Sequence, residues 1–363
     1  MIPMQHERIP IIDFVRGLVI VDMMLVHYEG ILSRGVLSKI INYTDVAIEG
    51  FIFLAGYVIG SVYFPMFLRD KAVVVMKLVK RVLGLIKLQY LMVLTISLPI
   101  ALMMGTSVTG GDTLPRYIMK SLLFLKQEGL MHILPIFIPL FLMAIPIFYL
   151  LSGGHDRLVI LLSALFFIIG NYHPYLFSIG ERAIFPVILW QIYFVCGILL
   201  GKMNYPYSNR LQEFIKRHVF LAAIVFGVSA FLYFGHHVVP ELAPLRDHWN
   251  VKVSKFPLNY LGLLYRGSLL YLLIYASLVL MSRLKGENVA VGAISLLGRH
   301  SLLAFVIHVY FAKSMTLTNH FTRNPFPLPQ MIVLLNVVFT IFILKYIEGK
   351  RLCQETAPVK AEA

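Results

Sequence analysis

Arg16 and His27 are eleven residues apart, almost three turns at 3.6 residues per turn. On a helix they share one face, about 16 Å apart along the axis. Asp13, three residues before Arg16, falls near the same stripe and can pair with it. One face would then carry a permanent cation near one end and an imidazole near the other. An ordinary imidazole titrates near about 6.5, so a usable neutral fraction remains at pH 7 and the group suits general-base chemistry. A carboxylate beside it would hold one tautomer and stabilise the protonated form. Asp45 and Glu49, four residues apart, share a face and are expected on the same membrane side as His27. Bland readings stand beside these: a helix-end histidine, an Asp13–Arg16 ion pair that fixes helix orientation, and acids that complement a helix N-terminus. Asp22 points away from the stripe and is expected to satisfy a neighbouring helix.

Further polar residues interrupt the later apolar stretches: His132, the pair Trp190-Gln191, Arg266, and Leu297-Gly298-Arg299-His300-Ser301-Leu302 followed by His308. Ser301 and His308 lie seven residues apart on one face, but no acid is near them in sequence, which argues against a serine nucleophile. Arg299 beside Gly298 is expected to end a kinked helix on an anionic group or on carbonyls. For His308 a satisfied polar contact is the simpler reading. The 12 histidines include the adjacent His236-His237 but no HExxH or Cys/His pattern, so no metal site is expected. The two cysteines, Cys196 within an apolar stretch and Cys353 in the tail, imply no disulfide framework.

The elements that hold these residues are read from composition. The 363 residues are 59% hydrophobic and 14% charged, with a mean hydropathy of +0.80, more apolar surface than a water-soluble domain can hide. A membrane-crossing helix needs about 20 mostly apolar residues. That rule predicts an all-α, polytopic membrane protein of about ten transmembrane helices, near 10–28, 44–65, 84–104, 130–151, 158–172, 183–201, 218–235, 258–281, 289–311 and 328–347. Ionisable groups inside such spans cost about 2.5 to 3.5 kcal/mol each and usually face a protein interior or a wet cavity. Gly50, Gly56 and Gly60 in the second span allow close helix approach. The net charge of +14 sits in short connectors rather than one long patch, which indicates membrane topology and not nucleic acid. Lys71, Lys77, Lys80, Arg81 and Lys87 fall in one such connector and, with later ones, favour both termini in the cytoplasm.

Asp13, Arg16 and Asp22 interrupt the first apolar run, so it is expected to be a retained span and not a cleaved signal. No hydrophilic block is long enough for a second soluble domain; residues 1–352 are expected to form a single membrane domain and 353–363 a disordered cytoplasmic tail. A short amphipathic helix is expected along the outer interface over Tyr117–Leu125, and the proline-rich run Asn324–Pro329 makes a stiff entry to the last span.

Taken together, Asp13-Phe14-Val15-Arg16-Gly17-Leu18 through His27, the block Glu49-Gly50-Phe51-Ile52-Phe53-Leu54-Ala55-Gly56-Tyr57-Val58, Leu134-Pro135, Trp190-Gln191 with Gly197 and Gly201, and Gly298-Arg299-His300-Ser301 with His308 resemble the OpgC family, within the acyltransferase-3-like superfamily. The similarity spans most of the chain, in the expected order. The resemblance implies an inner-membrane enzyme that moves an acyl group, succinyl or acetyl, from cytoplasmic acyl-coenzyme A to a hydroxyl of an extracytoplasmic glycan such as an osmoregulated periplasmic glucan. It carries the essential histidine to His27 and its partner arginine to Arg16, which would hold a donor phosphate or the pantetheine arm. Glu49 and Asp45 would support His27. Tyr57, Gln191 or Arg299 would stabilise the thioester oxyanion, with Asp13, Trp190 and His308 among the binding residues. No permanently bound cofactor is implied, and the partners are the acyl donor, the glycan and the bilayer. The main rival is a secondary transporter or glycan flippase, which needs no acyl donor; a third reading is a non-catalytic scaffold.

Overall fold

The computed structural model describes residues 9–32, 36–105, 111–126, 129–176, 185–203, 210–235, 239, 241, 255–284, 288–317 and 328–355. Among them the regular elements are all helical. In chain order the α-helices are α1 (Pro10–Leu32), α2 (Val36–Thr44), α3 (Ala47–Val58), α4 (Phe64–Arg69), α5 (Lys71–Met92), α6 (Leu98–Met104), α7 (Leu114–Leu122), α8 (Ile133–Ser152), α9 (Asp156–Tyr172), α10 (Val187–Met203), α11 (Arg210–Phe234), α12 (Tyr260–Arg283), α13 (Val289–Arg299), α14 (Ser301–Leu317) and α15 (Leu328–Glu355).

Local chemistry explains several boundaries. Asp70 caps α5 by accepting a hydrogen bond from the Val73 amide at 3.0 Å. Asn288 does the same for α13, accepting from Ala290 and Val291. Two π-helical turns, Ile59–Tyr63 and Val93–Ser97, each precede a proline by two residues, Pro65 and Pro99. A proline offers no amide and its ring crowds the carbonyl four residues back, so widening the preceding turn relieves that crowding without ending the helical run.

Six helical runs are long and apolar enough to cross a membrane: Ile40–Arg69, Lys71–Met103, Leu130–Ser152, Arg210–Phe234, Tyr260–Arg283 and Met331–Lys350. The sequence-based count of about ten is not reached by this measure, for identifiable reasons. Asp13, Arg16 and Asp22 break the apolarity of α1, while α9 and α10 are 17 residues each. The expected ninth span, 289–311, is two helices, α13 and α14, bent by 89° at Arg299–His300. The outer face of α11 carries exposed Phe220, Leu221, Ile224, Val228 and Phe231, and only 6% of its apolar window is buried. Water would penalise such a face, and lipid would not. The protein is therefore an all-helical membrane protein.

The chain divides into two compact units, one of Ile48–Tyr275 and one of Glu7–Ala47 with Ala276–Ala363. Within the first, α10 packs on α9 and on the π-turn Ile59–Tyr63, and α5 packs on α8. Gly56 and Gly60 press against the Phe194 and Ile198 carbonyls, while Gly197 and Gly201 press against those of Phe53 and Tyr57. Any Cβ at these four positions would overlap backbone, so the glycines set the distance between the two helices. The amphipathic helix expected near Tyr117 is α7, anchored by Asp112, which bonds Lys120 and Lys126 at 3.0–3.2 Å.

Within the second unit, α1 is the axis, packed by α13, α15, α2 and α14. Gly17 meets the Ile294 carbonyl and Gly298 the Asp13 carbonyl, so α13 crosses α1 at backbone contact. Helix α15 continues through Glu355; the rest of the expected tail, 356–363, lies outside the described residues, as do His236-His237 and 324–327 of the proline-rich entry.

Candidate functional site

His27 lies five residues before the last residue of α1 and is partly exposed; His308, seven residues after the first residue of α14, is fully buried. Nδ1 of His27 and Nε2 of His308 share a hydrogen bond of 2.7 Å, with ring centroids 5.1 Å apart and planes 7° from parallel. This joins two residues separated by 281 positions. Tyr28, 2% exposed, sets its ring edge-on to His308 at 5.5 Å, and Phe311 packs edge-on to Tyr28 at 6.3 Å. From α15, fully buried Asn336 donates from Nδ2 to the Tyr28 hydroxyl at 3.0 Å. Among the described residues, Asn336 Oδ1 and His308 Nδ1 are both buried and neither has a hydrogen-bond partner. Three helices thus contribute a polar knot inside an apolar unit. Burying such groups is costly unless they bond one another.

This knot contains two residues expected from sequence, His27 and His308, and two that were not singled out, Tyr28 and Asn336. A signal for Asn336 existed: it is an amide in the otherwise apolar run Met331-Ile332-Val333-Leu334-Leu335-Asn336-Val337-Val338. The partner of His308 carried no sequence signal, because nothing in either helix's spacing specifies the other.

The acids expected near His27 make the following contacts. Asp45, 5% exposed, accepts from the Ala47 amide at 2.9 Å, and Asp22 accepts from the Val46 amide at 2.9 Å. Both therefore complement the start of α3, where unpaired amides and the helix dipole favour negative charge. Asp22 thus satisfies a neighbouring helix, as its direction on α1 suggested. Glu49 is fully buried in the Ile48–Tyr275 unit, with Lys255 at 3.6 Å and Arg266 at 3.8 Å. Neither cation was assigned to Glu49 from sequence.

Asp13 and Arg16 are both partly exposed on the N-terminal half of α1. Arg299 ends α13 at the sharp bend and reaches Glu348 of α15 at 3.4 Å, while His300 Nε2 pairs with the same carboxylate at 2.9 Å. The expected kink and anionic partner for Arg299 are thus both present; Glu348 had no sequence signal.

In the Ile48–Tyr275 unit, Trp190 is fully buried among Phe185, Tyr193 and Phe256, with centroids 5.6, 6.0 and 6.4 Å away. Gln191 uses both arms on Ser163 of α9: its Oε1 accepts from the hydroxyl and its Nε2 donates to the carbonyl, each at 2.8 Å. Tyr57 is 1% exposed, its backbone tight against Gly197 and Gly201. Among the described residues no group of three or more His, Cys, Asp or Glu is arranged to hold a metal ion.

Chemically, the pair offers a partly exposed imidazole that can take up a proton while its Nδ1 is held by a buried ring. No curated protein matches this chain, and no solved structure does. The model of the family described as OpgC protein matches residues 8–350, nearly the whole length, and this chain belongs to that family.

Proposed function

We propose that this protein is a membrane O-acyltransferase that moves an acyl group, succinyl or acetyl, from cytoplasmic acyl-coenzyme A to a hydroxyl of an extracytoplasmic glycan. The observation that carries the reading is the His27–His308 pair: a partly exposed imidazole backed by a buried one at 2.7 Å. A sugar hydroxyl is a weak nucleophile at neutral pH, and a positioned base contributes about 10² to 10⁴ in rate. In the reaction His27 takes the hydroxyl proton as the oxygen attacks the thioester carbon. The C–S bond then breaks, and the departing thiolate recovers that proton from the imidazolium.

Arg16 and Arg299 serve the donor. Arg299 stands two residues before the start of α14, whose rise from Ser301 to His308 is about 11 Å, too far to touch the reacting carbonyl but suited to a phosphate or the pantetheine arm. Asp13 orients Arg16. Asp45 supports the catalytic end by fixing the start of α3. The amide of Gln191 is committed to Ser163. Counted with α1, α9, α10 and the bent pair α13–α14, the six apolar runs make ten crossings, with both termini cytoplasmic in the inner membrane.

The test is mass spectrometry of envelope and periplasmic glycans from cells with and without the protein, and with His27→Ala. The acyl mass increment should depend on the protein and vanish in the variant while folded protein stays in the membrane; an unchanged acyl content removes His27 from the mechanism. The 89° break between α13 and α14 favours a second reading, a transporter or glycan flippase, since broken helices also serve alternating access. Saturable binding of acyl-coenzyme A to the purified protein supports the enzyme, and its absence supports transport.

A further inference from the structure

Glu348 is the one carboxylate that α15 carries before its last residue, and the fold sets it against the bend between α13 and α14. Nη2 of Arg299 lies 3.4 and 3.5 Å from its two oxygens, and Nε2 of His300 lies 2.9 Å from Oε1. A carboxylate only accepts, so His300 donates from Nε2, and two consecutive residues at the break converge on one anion. Glu348 and Arg299 are each 34% exposed and His300 is 27% exposed, so the contact opens to solution and adds little to stability. Gly298, the residue before Arg299, rests on α1, where a Cβ would overlap the Asp13 carbonyl and lie 2.8 Å from the Gly17 amide nitrogen. Arg299 therefore stands at the level of Arg16, the other arginine assigned to the donor. Exposed Lys345 is three residues before Glu348, on the same face of α15.

A guanidinium and an imidazole N–H that share one carboxylate are equally the donors that a phosphate oxygen takes. We propose that Arg299 and His300 form a binding site for a phosphate monoester dianion, and that Glu348 occupies this site as an internal stand-in which the ligand displaces. Charge decides the exchange. A phosphate monoester has a second pKa of about 6 and carries about −1.5 to −2 at pH 7, whereas a carboxylate carries a single charge. Each phosphorus of a diester or a pyrophosphate bridge also carries only about one, and Glu348 is tethered, with the effective concentration of an intramolecular group. An anion of equal charge therefore does not displace it, and a dianion does. The carboxylate thus makes the site selective, and it keeps both donors paired between ligands. On the acyl-transfer reading, on which this assignment of the source rests, the ligand is the ribose phosphate monoester of coenzyme A; free phosphate is the other source of the same chemistry.

Affinities are measured by calorimetry on detergent-purified full-length protein with three probes: coenzyme A, dephospho-coenzyme A, which lacks the monoester, and inorganic phosphate. Wild type should bind coenzyme A more tightly than the dephospho form. Glu348→Gln removes the competing charge and keeps the shape. It should tighten coenzyme A and inorganic phosphate by about fivefold, the factor that a partly exposed ion pair at the top of its usual range implies, and leave dephospho-coenzyme A within about twofold. Arg299→Gln should weaken coenzyme A to the level of the dephospho form. Asp112→Asn removes the same charge from beside α7 and should change none of these affinities. Should Glu348→Gln fail to fold, Glu348→Asp, which draws the carboxylate back by one methylene, carries the comparison with a smaller gain.

Unchanged or weaker phosphate binding in folded Glu348→Gln overturns the proposal and leaves Glu348 as a tie between α15 and the bend. An equal gain in Asp112→Asn also overturns it, by marking a general effect of net charge. If inorganic phosphate follows the expected pattern while wild type binds neither form of coenzyme A, the phosphate site stands and the acyl-transfer reading fails. If both forms of coenzyme A bind equally and Arg299→Gln changes nothing, the acyl-transfer reading stands and the site falls.

Discussion

Replacing His308 with phenylalanine separates the hydrogen bond to His27 from the packing around it. The ring is kept, so the edge contact with Tyr28 at 5.5 Å and the stack on His27 at 5.1 Å retain their partners, while the nitrogen 2.7 Å from His27 Nδ1 is lost. In the ground state a hydrogen bond between two neutral imidazoles contributes about 1 kcal/mol net, and one from a charged donor about 1.5–3 kcal/mol. The bond strengthens as His27 takes the hydroxyl proton, so the difference, about 0.5–2 kcal/mol, belongs to the transition state. That corresponds to a fall in kcat of about 2- to 30-fold, with KM little changed. The assay is transfer from acyl-coenzyme A to glycan by protein in liposomes, alongside a thermal melt to confirm folding. A folded His308→Phe variant with kcat within about twofold of wild type would show that the buried ring contributes nothing to proton transfer. A loss confined to KM would assign His308 to binding and remove it from support of the base.

Two further predictions concern the scaffold. Gly201→Val sets side-chain atoms against the Tyr57 carbonyl and should destabilise by about 3 kcal/mol or more, whereas Gly84→Ala, in open space on α5, should stabilise by about 0.5–1 kcal/mol. Thermal melts of the two variants in one detergent compare them directly, and equal effects would refute the close-packing role of Gly201. Lys126 and Lys120 hold the Asp112 carboxyl below its ordinary range, through hydrogen bonds first and charge second. A depressed value in the fold means that its stabilisation is present above the unfolded value and is lost as pH falls through the folded one. The melting difference between wild type and Asp112→Asn should therefore hold at neutral pH and close in acid below the usual carboxylate range; a difference that widens in acid contradicts the sign.

Much of the local architecture was legible before any coordinates. Helix α1 is continuous over Pro10–Leu32, so the eleven-residue spacing of Arg16 and His27 keeps its meaning. Gly56 and Gly60 lie where two helices touch, as small residues in an apolar run imply, while the packing role of Gly197 and Gly201 on the facing helix was not assigned from sequence. The amphipathic α7 and the kink beside Gly298 were readable for the same reason, since periodicity and breaker residues act within a few positions. The bend itself was only half legible: a glycine and an arginine announce a break but carry no angle, so 289–311 read as one span where the fold turns by 89°.

The amino-acid order alone determined that this is a helical membrane protein, which charges fall inside its apolar runs, and which of them share a helix face, because each of these follows from side-chain type and a 3.6-residue period. Only the tertiary structure decided what those groups meet: that His27 is backed by His308 from 281 residues away, that Asn336 and Tyr28 close the knot, that Asp22 and Asp45 go to the start of α3, and that Glu49 faces Lys255 and Arg266. The reason is that a buried polar group fixes its demand for a partner but not the partner's address. That is chosen when distant helices pack and each unsatisfied donor or acceptor must find another.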